Sequence, residues 1–451
     1  MKPTRPAQEH SENPAQGKTT PDPAHASDLW EELLSRENLA RALKRVEQNA
    51  GAPGIDGMST NDLRQWLHRH WPDVRARLNA GTHRPEPVRR VTIPKPAGGS
   101  RGLGVPTALD RLIQQAILQV LTPVFDPHFS AASFGFRPGR SAHDAVLAAR
   151  RHIAKGAGWV VDLDLDSFFD RVNHDALMAR IARRVSDKQV LRLIRQSLIA
   201  GVVVDEVKQL SEEGTPQGSP LSPLLANIML DDLDGMLEGR GHKFVRYADD
   251  VMIYVNSKRA AGRVMDSTTQ FVEGRLRLKV NRSKSAVAPA TRRTFLGFGF
   301  FRRKGEVKLR IDPKARKRAE ARIRKLTSRK WGVSMRWRIR EINKFTVGWT
   351  AYFSLADTPT PFIALDSWLR RRLRQVRWKE WKRWRTRRRN LRALGIPEEK
   401  AHQWALSRKG YWRIAGTAVL QRALPNDYWD QLGLKGFVNP YRRFREVERT
   451  A

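Results

Sequence analysis

The chain has 451 residues, no cysteine, and 84 Lys and Arg against 46 Asp and Glu, for a net charge of +38. The lack of cysteine excludes disulfide bonds and zinc sites of the CxxC type. No apolar run reaches the roughly 18 residues of a membrane span, and residues 1–27 lack the apolar centre of a signal peptide. We expect roughly two to four structural units in a bacterial-type cytoplasmic protein with no membrane contact.

The positive charge is concentrated in the last third of the chain. Residues 301–451 hold 41 Lys and Arg against 13 Asp and Glu, a net +28 that leaves +10 for the first 300 residues. The same third holds ten of the 14 tryptophans. Basic side chains interleaved with aromatic ones bind phosphates and stack on unpaired bases. The tryptophans could instead fill a core, but a net +28 opposes compaction unless an anionic partner is bound.

The first 155 residues predict a tail, helices and one hairpin. Residues 1–27 are rich in Pro, Ala, Ser and Thr and are expected to be disordered. Apolar spacing predicts one helix over residues 28–49 and a second from Ser59 to residue 78, with Ser59 or Thr60 as its cap. Residues 88–95 and the Gly98-Gly99 turn predict a basic hairpin, and residues 110–121 predict a helix.

Acidic residues then interrupt two apolar strands. Asp162, Asp164 and Asp166 alternate with apolar residues over 160–166, so one strand face is predicted to be acidic. Asp249 and Asp250 stand between two apolar runs over 244–255, which predicts a hairpin with carboxylates at its tip. Such faces are unfavourable unless cations neutralise them. We infer a shared site for two divalent ions roughly 3.5–4 Å apart, with Mg²⁺ fitting best and Mn²⁺ as a substitute.

The segment between these strands is a loop followed by a helix. Residues 214–223 contain two glycines and three prolines, so they cannot be helical and allow backbone to approach a ligand closely. A helix is predicted from about Ser222. Beyond Pro313 helices are predicted over residues 315–326, 335–352, 363–394 and 397–406.

These elements together resemble a known family. Residues 164–170, 214–223 and 247–250 look like the A, B and C motifs of a reverse transcriptase, in the right order. Residues 281–285 and 295–298 resemble the D and E motifs. The upstream segments 51–57, 91–107 and 133–141, and the downstream segments 343–353 and 407–413, resemble group II intron reverse transcriptases and their maturase region. Gly102 stands where the family has proline, which is expected to loosen the fingers turn.

The resemblance implies a right-hand polymerase of the α+β class, in which an RRM-like antiparallel palm sheet is followed by an α-helical thumb. It implies a disordered tail at 1–27, an N-terminal extension and fingers at 28–155, a palm at 156–302, a thumb at 303–372, and a basic DNA-binding region at 373–451. Many members of the family end in an HNH-type nuclease with paired cysteines and histidines. In this chain His402 is the only histidine beyond residue 243, and there is no cysteine. The chain is therefore similar to the endonuclease-lacking branch, and second-strand cleavage is not expected.

Site residues follow from the same resemblance. Asp164, Asp249 and Asp250 match the metal-binding carboxylates, and the Leu165 carbonyl would line the metal site. Phe169 matches the residue packed against the sugar, where a ring leaves no room for a 2′-hydroxyl. The nucleotide-binding and catalytic matches that remain are Gln217, Lys95, Arg101, Arg89 and Lys284.

These assignments differ in how far the residue type supports them. Lys95 and Arg101 suit a triphosphate, since one is a mobile point charge and the other a bidentate fork. Both could instead be ordinary basic surface, as could Arg89. Lys284 could donate a proton to pyrophosphate or be a solvated loop lysine. Asp162 is interpreted as a structural or neighbouring acid, and no chemistry is assigned to His143 or His174.

The basic C-terminal region is expected to contact nucleic acid. The expected contacts are Arg370, Arg371, Arg374, Arg377, Lys382, Arg383, Arg385, Arg387, Arg388 and Arg389. The implied partners are an intron RNA template, a DNA primer or target and deoxynucleoside triphosphates. The protein is expected to associate with the nucleoid as a monomer or as a dimer through its N-terminal region.

The implied function is target-primed reverse transcription and assistance to intron splicing, with two alternatives. A relative that has left its intron could serve DNA repair or CRISPR spacer acquisition. A polymerase-dead chaperone could assist splicing alone, although the intact carboxylates argue against it.

Overall fold

The computed structural model describes residues 29–94, 100–204, 207–209, 214 and 218–450, with backbone alone for Arg101 and residues 202–204, 207–209 and 448–450. The predicted tail, Lys95 and Gln217 lie outside the described residues. In the part described, no helix is both long and apolar enough to cross a membrane.

The N-terminal region is mainly helical. It contains α1 (Leu29–Leu33), α2 (Arg36–Asn49), α3 (Leu63–Asn79), β1 (Val88–Pro94), β2 (Ser100–Val105), α4 (Ala108–Phe125) and α5 (Ala142–Ala154). The prediction of one helix over 28–49 is wrong, because Ser35 caps a new helix by accepting the Asn38 amide. The second helix begins at Leu63, since Ser59 instead accepts the Asp62 amide in a turn ahead of it.

The predicted hairpin is confirmed as a pair of strands, and its predicted Gly98-Gly99 turn lies outside the described residues. Strands β1 and β2 pair antiparallel, and β1 also pairs in parallel with the short strand Val202–Val204. Gly102 lies within β2 opposite Thr92, not in the turn, so the expected loosening of a turn at this position is wrong. The Arg90 side chain lies close over Gly102, in the space a side chain there would need.

The region expected to be the palm follows as a mixed unit of strands and helices. Its elements are β3 (Trp159–Leu163), α6 (His174–Ile181), α7 (Lys188–Ile199), β4 (Val202–Val204), β5 (Val207–Gln209), α8 (Ser222–Gly239), β6 (Lys243–Tyr247), β7 (Asp250–Val255), α9 (Lys258–Gly274) and β8 (Ala286–Pro289). The sheet order is β6-β7-β3-β8, with every neighbouring pair antiparallel. The helix from Ser222 and the carboxylate hairpin are confirmed.

The palm sheet separates two hydrophobic cores. Alternate side chains of a strand point to opposite faces, so β3 sends Val161 and Leu163 into one core and Val160 into the other. Strand β7 likewise divides Ile253 from Tyr254. The first core contains the fingers and palm helices, and the second contains α5 and the C-terminal helices.

A second small sheet and a helical region complete the chain. They comprise β9 (Thr294–Phe295), β10 (Phe298–Arg303), β11 (Glu306–Ile311), α10 (Pro313–Leu326), α11 (Met335–Phe353), α12 (Thr360–Glu380), α13 (Trp384–Ala393), α14 (Glu398–Ala405), α15 (Tyr411–Ile414), α16 (Ala418–Ala423), α17 (Asn426–Gln431) and α18 (Val438–Thr450). The predicted boundary at 302/303 falls inside the β10–β11 hairpin, and that at 372/373 falls inside α12.

The expected single helix over 363–394 is two helices. It breaks at Trp381, which turns into the second core and is 7% exposed, while its carbonyl accepts Nε of Arg387. The predicted apolar stripe of α12 is confirmed, because Leu365, Leu369 and Leu373 are all buried.

Candidate active site

The β6–β7 hairpin carries the adjacent aspartates at its turn. Tyr247 and Asp250 form the last pair of the hairpin, and Ala248 and Asp249 connect them. Ala248 has φ of 56°, a left-handed conformation that non-glycine residues seldom adopt. Some other part of the structure must therefore hold this turn in place.

A buried arginine supports the turn. Arg246 is fully buried, and its Nη1 donates to the Ala248 carbonyl at 3.0 Å and to Asn227 Oδ1 at 2.9 Å. Its Nε and Nη2 donate to the equally buried Asp234 on α8 at 2.6–3.0 Å. Burial raises the pKa of Asp234, and the charge of Arg246 opposes that rise. Arg246 thus connects the turn between β6 and β7 to α8.

Asp164 follows β3 and approaches the hairpin from the neighbouring strand. Its amide donates to Ser285 Oγ at 3.0 Å, and its carbonyl accepts the Asn281 amide at 2.8 Å. Its Oδ1 is buried and accepts no hydrogen bond from the described residues; Lys284 Nζ lies 3.5 Å away. An unsatisfied buried carboxylate oxygen is costly unless a cation or donor approaches it.

The carboxylates of the site act on one another electrostatically. Asp250 remains accessible to solvent, but protein around the carboxyl group removes hydration and contributes most to raising its pKa to about 7. The negative charges of Asp249, Asp162 and Asp164 contribute to the same rise, and Lys284 opposes it. Like charges this close favour protonation or a bound cation.

These residues have the ligand atoms that divalent ions require. Across the described ranges, no three Asp, Glu or His side chains form a group that could hold an ion as placed. The unsatisfied Oδ1 of Asp164 and the raised pKa of Asp250 are both relieved by a bound cation. Carboxylate oxygen atoms are the ligands that Mg²⁺ prefers.

The acidic face predicted from alternation continues beyond β3. The apolar residues Val161, Leu163 and Leu165 are buried in the first core. The acids between them, Asp162, Asp164 and Asp166, are half-buried. Strand β3 ends at Leu163, and each acid has its own basic neighbour. Asp162 pairs with Arg293, whose Nε lies 2.8 Å away, while Asp166 lies 3.3 Å from Arg171. Asp162 is therefore a half-buried ion-pair partner beside the site.

The backbone around Leu165 is tied to the segment before β8. The Asp166 amide donates to Lys279, and the Asp164 carbonyl accepts from Asn281, so the Leu165 carbonyl stands outside this pair of hydrogen bonds. The Leu165 side chain is buried in the first core. This arrangement keeps the Leu165 carbonyl as a candidate ligand at the end of β3.

Phe169 lies in a short turn just beyond these residues. Its ring is half-buried and meets the edge of Phe168 with centroids 5.1 Å apart. Gly214, with φ of 96°, packs directly against the backbone of this turn, where an added Cβ would come within 3.0 Å of Phe169 and Asp170 oxygen atoms. His174 Nε2 donates to the Gly214 carbonyl at 2.7 Å. One glycine of the 214–223 loop therefore serves close packing against the palm.

The expected triphosphate-binding residues are only partly placed. Lys95 and Gln217 lie outside the described residues, and the Arg101 side chain is not described. Arg89 on β1 is half-buried, and its Nε donates to no acceptor among the described residues. Lys284 is well exposed, next to Asp164.

The C-terminal basic residues divide into two groups. Arg370, Arg374 and Arg377 make intramolecular contacts: Arg370 lies 3.4 Å from Asp366, Arg374 donates to the Leu424 carbonyl, and Arg377 pairs with Glu380. Burial lowers the pKa of Arg374. These side chains are less accessible than nucleic-acid contacts were expected to be.

The remaining residues of that set lie nearer the surface. The Cζ atom of Arg371 lies 4.1 Å from the ring centroid of Trp412, and that of Arg387 lies 4.7 Å from the ring centroid of Trp378. Both guanidinium groups therefore pack against an indole ring. Arg388 pairs with Glu398. The exposed members are Lys382, Arg383, Arg385 and Arg389, at and around the start of α13.

Sequence reasoning missed three residues that shape the site. Arg246, Arg293 and Ser285 hold Ala248, Asp162 and Asp164 respectively. The signal for Arg246 was present, because this single arginine interrupts an apolar strand. Its partner Asp234 was not marked out, since α8 also contains Asp231, Asp232 and Glu238. No comparable signal marks Arg293, which lies 131 residues from its partner.

Two family profiles match consecutive parts of the chain. Residues 93–300 match the reverse transcriptase (RNA-dependent DNA polymerase) family, and residues 316–395 match the group II intron, maturase-specific domain. The first match contains Asp164, Asp249 and Asp250, and the second covers α10 to α13.

Individual relatives agree with these matches. Protein YkfC of Escherichia coli (strain K12) is 32% identical over 295 residues, which are 56% of this chain and 77% of that protein. Group II intron-encoded protein LtrA of Lactococcus lactis subsp. cremoris is 35% identical over 226 residues, 48% of this chain and 36% of LtrA. This chain thus spans only about a third of LtrA. Among solved structures, a chain of a partial Cas6-RT-Cas1–Cas2 complex is 26% identical, with a TM-score of 0.34. The match covers 54% of this chain and 42% of the chain in that complex.

Proposed function

This chain belongs to the reverse transcriptases of the group II intron type, with a polymerase domain followed by a maturase domain, and on that premise we propose how its residues act. Asp164, Asp249 and Asp250 bind two Mg²⁺ ions. The observation that carries this proposal is the position of Asp249 and Asp250 at the β6–β7 turn, beside the end of β3, where the buried Oδ1 of Asp164 accepts no hydrogen bond from the described residues.

The chemistry proposed is extension of a DNA primer on an RNA template. Bound divalent ions would stabilise the charge that develops on the attacking and leaving oxygens. Phe169 packs against the sugar of the incoming deoxynucleotide, and Lys284 donates a proton from Nζ to the departing pyrophosphate. Arg246 and Ser285 hold the carboxylate-bearing backbone rigid while this occurs.

The proposed partners follow from the two domains. The polymerase takes a DNA primer and deoxynucleoside triphosphates, and the maturase region binds intron RNA to assist splicing and retrohoming. The exposed Lys382, Arg383, Arg385 and Arg389 supply phosphate contacts to RNA or target DNA. With such partners, the protein acts at a bacterial nucleoid.

The test is primer extension by Asp249→Ala. DNA synthesis should be abolished while the affinity for intron RNA stays within about two-fold, because affinity comes mainly from phosphate contacts elsewhere. The matched control is Asp175→Ala, which removes a surface carboxylate paired with Arg195 and should extend primers normally. Normal extension by Asp249→Ala would refute the assignment of the carboxylates.

A further inference from the structure

Phe136 combines two features that rarely occur together in an aromatic residue. Its side chain is 55% exposed, and its φ is 58°. A bulky residue in the left-handed region is a true backbone outlier, and such strain persists only where the surroundings enforce it. Neither feature serves the packing of either core.

The residues on both sides of Phe136 are fixed. Gly135 lies against the catalytic turn, where an added Cβ would come within 2.3 Å of the Ala248 nitrogen, and its carbonyl accepts Asn227 Nδ2 at 2.9 Å. Arg137 is buried, and it donates to Asp126 and to the Ser130 and Ser133 carbonyls. The backbone therefore cannot relax without releasing these contacts.

The fixed backbone places the exposed ring beside the catalytic hairpin. The Phe136 centroid lies 6.3 Å from that of Tyr247, the residue paired with Asp250. Ser133 forms a parallel bridge with Arg246, so this segment extends the palm sheet beyond β6. In the sheet order β6-β7-β3-β8, Phe136 is on the β6 side of the carboxylates and Phe169 follows β3 on the other side.

We propose that Phe136 is a primer-binding residue, whose ring packs against the 3′-terminal nucleotide of the strand being extended. The inference rests on the proposed polymerase function. The incoming nucleotide is assigned to the Phe169 side of the carboxylates, so the strand end that reacts with it occupies the opposite side. An exposed aromatic ring offers a sequence-independent surface to a base or sugar, as a primer site requires.

The decisive variant is Phe136→Gly, because glycine adopts positive φ without strain. It should keep or raise the melting temperature while raising KM for a primed template at least about five-fold, with a much smaller change in kcat, since stacking energy is lost. Phe136→Tyr keeps the ring and should behave as the parent does. An unchanged KM in Phe136→Gly, or a lowered melting temperature, would overturn the proposal.

Equilibrium binding separates this proposal from the polymerase assignment. Fluorescence anisotropy with a recessed DNA–RNA duplex should show weaker binding by Phe136→Gly, and binding to a single-stranded RNA of equal length should be unchanged. Equal loss on both probes would make Phe136 a general nucleic-acid contact and overturn the primer-end assignment. If the parent failed to extend primers, the polymerase proposal would fail, and the binding comparison would still decide the role of Phe136.

Discussion

Replacing Arg246 with methionine should destabilise the palm strongly. The guanidinium makes five hydrogen bonds, three to Asp234, one to Asn227 and one to the Ala248 carbonyl. Both charged side chains are fully buried. Removing one partner of such a pair leaves an uncompensated charge and costs about 3–5 kcal/mol.

The loss should depend on pH in a defined direction. Burial raises the folded-state pKa of Asp234, and Arg246 opposes the rise, so the pKa should rise further in Arg246→Met. A carboxyl group whose folded pKa exceeds its unfolded value contributes stability that is complete below the unfolded pKa and is lost as pH rises through the folded pKa. The difference in stability between variant and parent should therefore grow as the pH rises and shrink as the pH falls towards the unfolded-state pKa of a carboxyl group.

Urea unfolding followed by tryptophan fluorescence measures the effect. The matched control is Arg183→Met. It removes a surface ion-pair partner of Asp232, which lies on α8 as Asp234 does, and it should cost at most about 1 kcal/mol of stability. The double variant Arg246→Met/Asp234→Leu should recover much of the stability. If Arg246→Met lost no more stability than Arg183→Met, the inference that this pair fixes the catalytic turn would be wrong.

Three further outcomes are expected. Phe169→Val should lower the ratio of kcat/KM for deoxynucleotides to that for ribonucleotides, and an unchanged ratio would place the sugar gate elsewhere. Mg²⁺ should raise the melting temperature of the parent. In the absence of Mg²⁺, Asp250→Asn should melt at a higher temperature than the parent, and added Mg²⁺ should raise its melting temperature less. An equal rise with Mg²⁺ in both proteins would remove Asp250 from the ligand set. Neutralising the exposed basic cluster should weaken RNA binding more than synthesis on a simple primed template, and should lower the log–log salt slope by about 0.7–0.9 per lost contact; equal loss of both activities would assign the cluster to folding or to the template path. That cluster is Lys382, Arg383, Arg385 and Arg389.

The features that could be predicted from the sequence are those set by local pattern. The hairpin around Asp249 and Asp250 follows from two apolar runs with an acidic turn, and α8 follows from apolar spacing after a proline-rich loop. The family resemblance then gave roles to individual residues, and those roles remain proposals.

What the sequence could not give depends on contacts between distant segments. Alternation predicted the acidic face, but it could not predict which base each acid pairs with, such as Arg293 with Asp162. Arginines on α12 looked alike in sequence, yet Arg374 is buried and Arg372 stacks on Trp368. An arginine can serve a core or a phosphate, and only its surroundings decide which.

The position of the palm sheet has a consequence for how the chain can be divided. Because Val160 and Tyr254 belong to the core that also contains the C-terminal helices, the palm strands form a wall shared by both halves. A fragment ending near residue 302 would keep Asp164, Asp249 and Asp250 and the cover that α5 gives to this face of the sheet, but it would lose the part of the second core that the C-terminal helices supply. The polymerase and maturase portions thus share one hydrophobic core, and exchange of the C-terminal helices between relatives requires matched side chains on the palm strands.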